Sequence, residues 1–415
     1  MTGRDAAGRW DAVVAGAGPA GSIAALLLAR AGARVALADK AAFPRDKACG
    51  DLIGPRGVRL LDELGVAVPA PATGSDLLVA GPSGRRARLP AFSGKTYAGY
   101  GMVVPRRILD DTLRAAAIAA GATPFRARIS GADLAAGGSV EALVTSDGRR
   151  LAGDFVIGAD GPLSKVATAA GLLDPATALW GFAIRGYLPA TVPLPLLVLL
   201  DRRPWQIYPG YGWLFPGADG QANIGIGIGM GRRRSPAPLR ADLARLCAML
   251  RRRGDIAPDA RPGPVIGGWL RMGGTGTPPA AHNVLLAGDA AGLVNPLQGE
   301  GIGPAMVSAR AAAEAILTDP GRAGHVYTET LRALMHKYLA GAAALQETML
   351  ARPRLVSAGM RLITSPPLRS LVAGTWSLYW NGLVDGAVDR PSARAAGLVQ
   401  TVAWKMASRR APSSG

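Results

Sequence analysis

A glycine-rich hexapeptide near the start of the chain has the residue types and spacing of a phosphate-binding turn. Residues 16–21 read Gly-Ala-Gly-Pro-Ala-Gly, after an apolar run that favours a strand and before a stretch with helical periodicity. Glycines there let the backbone approach a pyrophosphate, whose charge then lies at the N-terminus of the helix. Asp39 ends the next predicted strand, where a carboxylate can accept a hydrogen bond from a ribose hydroxyl. A plain glycine turn is the alternative. The candidate dinucleotide-binding residues are Gly16, Gly18, Pro19, Ala20, Gly21, Asp39 and Lys40.

Two acid–glycine pairs after later strands indicate which dinucleotide is bound. Asp160 and Asp289 each follow a predicted buried strand, and a glycine-rich turn at residues 299–303 then opens a helix. An acid at the second position suits the hydroxyls of ribitol. The N–H groups of the turn, with the helix dipole, suit the pyrimidine edge of a flavin, which is negative when reduced. We therefore predict FAD; a helix cap is the alternative for Asp289 alone. These candidate residues are Asp160, Gly161, Gly288, Asp289, Gly299, Gly301 and Ile302.

Alternating glycines predict a strand with one bare face. Residues 223–229 read Asn-Ile-Gly-Ile-Gly-Ile-Gly. Because side chains alternate along a strand, the glycines leave one face without side chains and the isoleucines cover the other. The bare face suits a chain-like apolar ligand or the flavin, whereas close packing of a helix on the sheet is the alternative. Gly225 and Gly227 are therefore candidate substrate residues.

The composition is that of a basic globular protein. The chain has 415 residues, 49% of them hydrophobic, and a formal net charge of +18 carried mostly by arginine. A solvated surface with an arginine bias and an affinity for an anionic membrane or substrate are both consistent with this charge. The basic residues form short clusters without interleaved aromatic residues, which argues against a nucleic-acid partner.

The cysteines, histidines and apolar segments indicate the compartment. Only Cys49 and Cys247 are present, too few for a disulfide framework, which favours the reducing cytoplasm. The first ten residues lack a signal-peptide pattern, and no uninterrupted apolar segment is long enough to cross a bilayer. The three histidines are too scattered to suggest a metal site. We expect a cytoplasmic protein, with contact to the inner face of the cell membrane left open.

Strand and helix patterns predict an α/β protein in which the cofactor domain is discontinuous. Predicted strands and helices of the dinucleotide type lie at both ends of a strand-rich middle that a basic helix at residues 239–252 interrupts. A helical pattern follows to the end. The predicted regions are an FAD-binding domain (10–75, 100–165 and 275–325), a β-rich substrate domain (76–99 and 166–274), a helical C-terminal region (326–406) and a disordered tail (407–415).

Three segments, in order, carry a resemblance to a known family. Phe43–Asp51 reads Phe-Pro-Arg-Asp-Lys-Ala-Cys-Gly-Asp, Gly210–Pro216 reads Gly-Tyr-Gly-Trp-Leu-Phe-Pro, and Asn295–Ile302 reads Asn-Pro-Leu-Gln-Gly-Glu-Gly-Ile. With the FAD elements, these blocks resemble the geranylgeranyl reductase family, within the flavoprotein group that includes aromatic hydroxylases and halogenases. The resemblance covers about residues 10–320 and looks closest to actinobacterial members that act on the menaquinone side chain.

The resemblance implies a Rossmann-type FAD-binding domain, as in aromatic hydroxylases, and roles for particular residues. Cys49 and Gly50 would lie beside the isoalloxazine ring, and Arg106 would help hold the FAD. Tyr211 and Trp213 would line the channel that presents the prenyl double bond. These two residues face the same side of a strand because they are two apart, and ordinary core packing is the alternative.

Cys49 is the candidate catalytic residue. Cations and acids surround it in the sequence, so its thiol pKa could move in either direction. A redox or proton-handling role beside the flavin is the hypothesis, and a small buried apolar residue is the alternative. One departure from the family pattern is Arg271, where proline is expected, which leaves the binding of the distal substrate end open.

The resemblance implies an FAD-dependent reductase that adds hydride to an isoprenoid C=C bond of a prenyl lipid. The electron donor is NAD(P)H or a reduced protein partner, and residues 360–404 are basic enough to rest on an anionic membrane. A flavin monooxygenase acting on a secondary metabolite is the main alternative. A halogenase is disfavoured because Tyr211 and Phe215 replace the tryptophan and isoleucine of the halogenase segment. A non-catalytic lipid carrier is a remote alternative.

Overall fold

The N-terminal glycine motif connects a strand of a mostly parallel sheet to the helix that follows that strand. The computed structural model describes residues 8–352, apart from gaps at 70–71, 75, 82–83, 90–99, 200–209, 218–219 and 232–238, and short pieces between 365 and 405. Within these residues the strands are β1 (Trp10–Ala15), β2 (Val35–Asp39), β3 (Leu52–Ile53), β4 (Ala72–Gly74), β5 (Leu77–Ala80), β6 (Arg86–Leu89), β7 (Gly101–Val103), β8 (Thr123–Arg126), β9 (Ile129–Leu134), β10 (Val140–Thr145), β11 (Arg150–Gly158), β12 (Leu179–Pro189), β13 (Leu196–Leu199), β14 (Gly210–Pro216), β15 (Gln221–Met230), β16 (Ile266–Met272), β17 (Ala280–Ala281) and β18 (Val284–Leu286). The α-helices are α1 (Pro19–Arg30), α2 (Pro55–Glu63), α3 (Arg106–Ala119), α4 (Lys165–Ala169), α5 (Leu239–Arg252), α6 (Ile302–Thr318), α7 (Ala323–Leu331) and α8 (Lys337–Ala351).

The first sheet has the order β17-β18-β11-β1-β2-β8, and β9 and β10 extend it beyond β11. Strands β18, β11, β1, β2 and β8 run parallel. The central strand β1 is buried along most of its length, packs against α1, and has the apolar character of a buried parallel strand. The small residues of α1 and α6 let these two helices pack against each other. The parallel order brings the carboxyl ends of β1, β2, β11 and β18 to one edge of the sheet.

The ends of α1 follow from its sequence. Pro19 is at the first helical position, where its fixed φ and missing N–H cost nothing. Gly32 follows the helix with a φ of +86°, the left-handed conformation that ends many helices. The predicted strand–turn–helix–strand unit is therefore confirmed.

The second sheet has the order β16-β12-β15-β14-β13-β5-β6. Its pairs are antiparallel, except that β13 and β5 run parallel. Ile224 and Ile226 of β15 are buried on the face that α5 covers, where they pack with Leu243 and Leu246. The predicted glycine strand and the predicted helix at residues 239–252 are both confirmed. The opposite face of β14 and β15 faces the first sheet.

The remaining elements are smaller. Strands β3, β7 and β4 form a short antiparallel sheet. After α6, the chain is helical through α7, a π-helical segment at Arg332–His336, and α8, as the helical pattern predicts for this part. Most of the predicted membrane-facing segment 360–404 and the predicted disordered tail 407–415 lie outside the described residues. Among the described residues, no helix has the length and apolar character needed to span a bilayer.

Candidate functional site

A cavity of about 210 Å³ lies between the first sheet's glycine turns and the bare face of the second sheet. Many residues predicted from the sequence line it: Pro19, Cys49, Gly50, Arg106, Tyr211, Trp213, Gly227, Asp289, Gly299, Gly301 and Ile302. The other predicted residues lie outside its lining: Gly16, Gly18, Ala20, Gly21, Asp39, Lys40, Asp160, Gly161, Gly225 and Gly288. We call this space the central cavity.

The glycine turn between β1 and α1 is closely packed against a neighbouring loop. A β-carbon on Gly16, whose φ is +95°, would lie 2.3 Å from the backbone oxygen of Ala159, so no other residue fits. The Oδ2 atom of Asp39 accepts a hydrogen bond of 2.8 Å from the N–H of Ala17. Lys40 follows Asp39 as an exposed residue. The acid at the end of β2 therefore lies directly beside the turn, as a ribose-binding role requires.

Two arginines and one buried acid lie next to this turn. Arg106 donates hydrogen bonds of 2.7 and 2.8 Å to the two carboxylate oxygens of Asp110, and Arg45 Nη1 lies 2.9 Å from Oδ2 of the same residue. A β-carbon on Gly18 would lie 3.2 Å from Arg45 Nη2 and 4.0 Å from Arg106 Nη2. Both guanidinium groups can therefore approach a phosphate at the start of α1. The sequence analysis did not identify Arg45 as a cofactor residue.

The acid after β18 lies at the opposite end of the cofactor region. Asp289 lines the central cavity, and its Oδ2 is 3.0 Å from Nζ of Lys47. A β-carbon on Gly301 would lie 3.5 Å from Oδ1 of Asp289, so this acid also adjoins the turn that opens α6. The ion pair with Lys47 connects β18 to the loop that carries Cys49. No sequence pattern predicts this contact, because Lys47 and Asp289 lie far apart in the chain.

The glycine turn before α6 carries Glu300, a half-buried acid with one buried carboxylate oxygen. Glu300 lines the central cavity, and its Oε1 has no hydrogen-bond partner among the described residues. Burial raises the pKa of Glu300 to about 7, against the opposing charge of Arg56. Gly301 caps α6 without a side-chain hydrogen bond, so the cap residue itself offers no acceptor to the N–H groups of the first turn.

The Asp160 carboxylate is hydrogen-bonded to the start of the helix that follows it in the chain. Its carboxylate accepts hydrogen bonds from the Ser164 hydroxyl and, at 2.6 Å, from the N–H of Lys165 at the start of α4. Burial raises the pKa of Asp160, and these hydrogen bonds oppose the increase. The preceding residue, Ala159, is the one that packs against Gly16. A direct contact between Asp160 and the cofactor stays a prediction.

Cys49 lines the central cavity and its thiol is surrounded by charged groups. The N–H of Asp51 donates a hydrogen bond of 3.3 Å to Cys49 Sγ. Burial raises the pKa of the Cys49 thiol; the positive charge of Arg106 lowers it, the negative charge of Asp51 raises it, and Lys47 lowers it. Because the net change is upward, the thiol keeps its proton at neutral pH.

A hydrogen-bond network on the sheet side holds the loop of Cys49. Asn223, a fully buried residue of β15, donates hydrogen bonds of 2.8 Å from Nδ2 to the backbone oxygen of Cys49 and to Oδ2 of Asp51. Trp213 Nε1 donates to Asn223 Oδ1 at 2.8 Å, and the Tyr187 hydroxyl donates to Asp51 Oδ2. Asp51 has a φ of +63°, a conformation that Asp and Asn tolerate better than most residues. The sequence analysis did not predict a role for Asn223 or Tyr187.

An aromatic wall follows β14. Tyr211 and Trp213 have ring centroids 6.0 Å apart, and Phe215 continues the row at 6.3 Å from Trp213. The Tyr211 hydroxyl donates to the backbone oxygen of Gln298, which joins the wall to the turn before α6. The prediction that Tyr211 and Trp213 face the same side is confirmed. Together with the leucines at positions 197, 199 and 270, they give the cavity a largely apolar side.

The bare face of β15 is only partly open. A β-carbon on Gly225 would lie 2.1 Å from Cζ2 of Trp213, so the indole ring covers this glycine. At Gly227 the nearest atoms to such a β-carbon are 3.6 Å away or more, and this glycine lines the cavity. The expected groove along all three glycines is therefore corrected, because the indole of the paired strand fills the end at Gly225.

These features fit FAD. Two helices begin at the cavity without side-chain caps, two arginines adjoin the first, and an acid lies at the end of β2 and of β18. Uncapped N–H groups and guanidinium groups bind phosphate, and the carboxylates bind sugar hydroxyls. Bound FAD would supply hydride chemistry at this place.

Comparison with known proteins agrees with this geometry. The model of the FAD binding domain family matches residues 9–182. The chain is 37% identical over 321 residues to the menaquinone reductase of Mycolicibacterium smegmatis, covering 75% of this chain and 77% of that protein. It is 33% identical over 322 residues to the geranylgeranyl diphosphate reductase of Rhodobacter capsulatus, covering 74% and 75%. The chain belongs to the geranylgeranyl reductase family of FAD-dependent oxidoreductases.

A solved structure shares the fold along nearly the whole chain. The geranylgeranyl bacteriochlorophyll reductase-like protein from Thermoplasma acidophilum superposes with a TM-score of 0.69 and 20% identity, covering 97% of this chain and 99% of that one. The predicted family, the α/β fold, the enzyme class and FAD as cofactor are thereby confirmed.

Arg271, the departure from the family pattern, faces away from the cavity. Its neighbours in β16, Leu270 and Met272, line the cavity, whereas Arg271 is fully buried and donates to Thr277 Oγ1. Burial lowers the pKa of Arg271 to about 10, and the charges of Asp289 and Asp160 oppose the decrease. Arg271 therefore lies outside the cavity lining, on the side of the acids that follow β11 and β18.

Proposed function

We propose that this enzyme reduces isoprenoid C=C bonds of a prenyl lipid such as the menaquinone side chain or a geranylgeranyl group. The observation that carries the proposal is that one cavity joins the FAD-binding turns to an apolar wall, with the Cys49 thiol between them. An apolar, water-excluding wall is what positioning of an unfunctionalised alkene requires. The names of the two relatives, menaquinone reductase and geranylgeranyl diphosphate reductase, support the same substrate class.

At the cofactor end of the site, separate segments of the chain would bind the different parts of FAD. The turn at residues 16–21, with Arg45 and Arg106, would hold the pyrophosphate, and Asp39 would hold the adenosine ribose. Asp289 would hold the ribitol, and the backbone N–H groups of the turn before α6 would lie at the pyrimidine edge. When bound, FAD would supply the hydride chemistry. We propose that the strands of the first sheet with their helices form this cofactor domain, within the boundaries predicted from the sequence.

The substrate end orients the prenyl chain and provides its proton. Tyr211, Trp213 and Gly227 form the wall against which the chain lies, and the Cys49 thiol donates the proton to the alkene carbon that does not receive hydride. Protonation of the thiol at neutral pH follows from its burial. We further propose that the protein meets its lipid at the inner face of the membrane through the basic segment 360–404. NAD(P)H or a reduced protein is the proposed electron donor.

Lipid mass spectrometry tests the proposal. A deletion strain should accumulate a prenyl lipid two hydrogens lighter per unreduced double bond, and the wild-type gene should restore the heavier species. Purified enzyme supplied with dithionite under anaerobic conditions should reduce the same lipid. Oxygen consumption coupled to conversion of a substrate, without anaerobic turnover, would instead identify a monooxygenase.

A further inference from the structure

Asp51 is a buried acid directly behind Cys49, on the side away from the cavity. It is 1% exposed, and its N–H donates to Cys49 Sγ at 3.3 Å. Asn223 donates to Asp51 Oδ2 at 2.8 Å and also holds the backbone oxygen of Cys49 at 2.8 Å. One amide thus fixes the acid and the cysteine relative to each other.

The environment of Asp51 favours a proton on the carboxylate. Its Oδ1 is buried and has no hydrogen-bond partner among the described residues. Burial raises the pKa of Asp51 to about 6, against the hydrogen bonds from Tyr187 and Asn223 and the charges of Arg185 and Arg106. An unpaired buried carboxylate oxygen costs less when it carries a proton.

Tyr187 connects Asp51 to the exterior of the sheet. Its hydroxyl donates to Asp51 Oδ2, and the residue is partly exposed. The Arg185 guanidinium lies 4.4 Å from the centre of its ring and also contacts Asp46 and the backbone of Lys47. The partly exposed Tyr187 thus contacts the Asp51 carboxylate, and Asp51 contacts Cys49 through its N–H.

We propose that Asp51 is the proton reservoir that restores the Cys49 thiol after each reduction, and that Tyr187 refills it from solvent. This rests on the function proposed above. In the reduction the S–H bond of Cys49 breaks and a C–H bond forms on one alkene carbon, while the other carbon takes the hydride supplied by the reduced cofactor. The O–H bond of Asp51 then breaks as the S–H bond re-forms, and a water molecule carries the proton between them, because neither carboxylate oxygen of Asp51 is hydrogen-bonded to Sγ. Tyr187 passes a proton to Asp51 and takes one from water.

Asp51→Asn separates this role from a purely positional one. Asparagine keeps the shape, tolerates the positive φ and can still accept from Tyr187 and Asn223, but it holds no transferable acid proton. In the FAD-loaded enzyme at pH 6, the first turnover should stay within about twofold of wild type, because the thiol is already protonated. Steady-state turnover should fall by at least about tenfold, toward the rate decrease that follows the loss of a general acid.

The pH dependence of turnover tests which protonation state of Asp51 is the active one. Only protonated Asp51 can donate, so wild-type steady-state turnover should decrease as the pH rises through about 6, and the variant should lack this decrease. The groups that face Asp51 and Cys49 are Arg106, Arg185, Lys47, Tyr187 and Tyr211. Against the effect of burial, Asp110 raises the pKa of Arg106, and burial raises the pKa of both tyrosines, so these three groups do not titrate in this range. Equal slowing of the first turnover and the steady state would overturn the proposal.

Alkylation of Cys49 provides a readout that needs no turnover. The negative charge of Asp51 raises the thiol pKa, so the midpoint of iodoacetamide labelling against pH should move downward in Asp51→Asn. Asp46→Asn is the matched control: Asp46 lies in the same loop but pairs with Arg185, and it should leave the midpoint unchanged. Peptide mass spectrometry separates Cys49 from Cys247. An unmoved midpoint in Asp51→Asn would contradict the coupling.

The two proposals can fail separately. If wild-type enzyme reduces no prenyl alkene, the proposed function fails, whatever the alkylation result. If wild type is active and Asp51→Asn turns over at the wild-type rate across the pH range, only the reservoir role fails.

Discussion

The chemistry of Cys49 depends on groups from several parts of the chain. Burial and the charge of Asp51 keep the thiol protonated, whereas Arg106 and Lys47 favour the thiolate. The balance leaves a proton donor rather than a nucleophile on the cavity wall at neutral pH. Removing one of these charges should change the pKa of the Cys49 thiol without altering the apolar wall.

Removal of the thiol should therefore abolish proton delivery but not cofactor binding. In Cys49→Ala and Cys49→Ser we expect FAD to stay bound at one per chain and alkene reduction to fall by about 100-fold or more, the usual size of a lost general acid. Absorbance near the flavin bands and mass spectrometry of the lipid product measure the two effects. The control is Cys247→Ala, a buried residue of α5 outside the cavity lining, which should retain turnover. Undiminished turnover in the Cys49 variants would remove its role.

At the scale of elements, paired strands determine the shape of the substrate wall. Trp213 of β14 lies opposite Gly225 of β15, and Tyr211 lies opposite Gly227. The indole ring lies over Gly225, and the Nε1 of the same ring donates to Asn223. The glycines of β15 thus serve two different purposes: one accommodates the tryptophan, and the other leaves space in the cavity.

Alanine at these two glycines should separate stability from substrate binding. At Gly225 the new methyl group would meet the indole and, at 2.6 Å, the backbone oxygen of Ile184, so Gly225→Ala should destabilise the fold by about 1–3 kcal/mol. In Gly227→Ala the new methyl group would have no contact closer than 3.6 Å. Its free energy of unfolding should therefore stay within about 0.5 kcal/mol of wild type, while the KM for a prenyl substrate should rise. Urea unfolding and steady-state kinetics measure these effects. Equal stability loss in both variants would contradict this account.

At the scale of the whole molecule, the proposed FAD site is formed by segments that are distant in sequence. The turn at residues 16–21, Arg106 and Asp289 belong to separate strands and helices that the parallel sheet brings to one edge. A ligand held by all of them binds only the folded chain, so it must stabilise the native state.

Added FAD should accordingly raise the Tm of the apoprotein, and Asp39→Ala should reduce that rise. Asp39 accepts from the N–H of Ala17 and is placed for the ribose, so its loss should weaken FAD binding at least tenfold. Each tenfold removes about 1.4 kcal/mol of ligand-induced stabilisation at a fixed FAD concentration. Asp259→Ala, an exposed acid outside the first sheet, is the control and should retain the full rise. Scanning calorimetry with and without FAD measures the difference; equal rises in both variants would contradict the role of Asp39.

Local patterns in the sequence determined the strand–turn–helix unit, the orientation of Tyr211 and Trp213, the glycine strand and the helix α5. Each depends on the preferences of neighbouring residues and on the period of a strand or helix, which a sequence displays directly. The family motifs added the cofactor and the enzyme class. No pattern of this kind connects Asp51 with Asn223, which lie 172 positions apart, or Lys47 with Asp289.

Only the tertiary structure decided those contacts, because they depend on how two sheets pack against each other. Packing also placed the Trp213 indole over Gly225, turned Arg271 away from the cavity and put Arg45 beside the glycine turn. Side-chain burial and long-range pairing set the charges around Cys49, and these arise when separate elements meet rather than from any one segment.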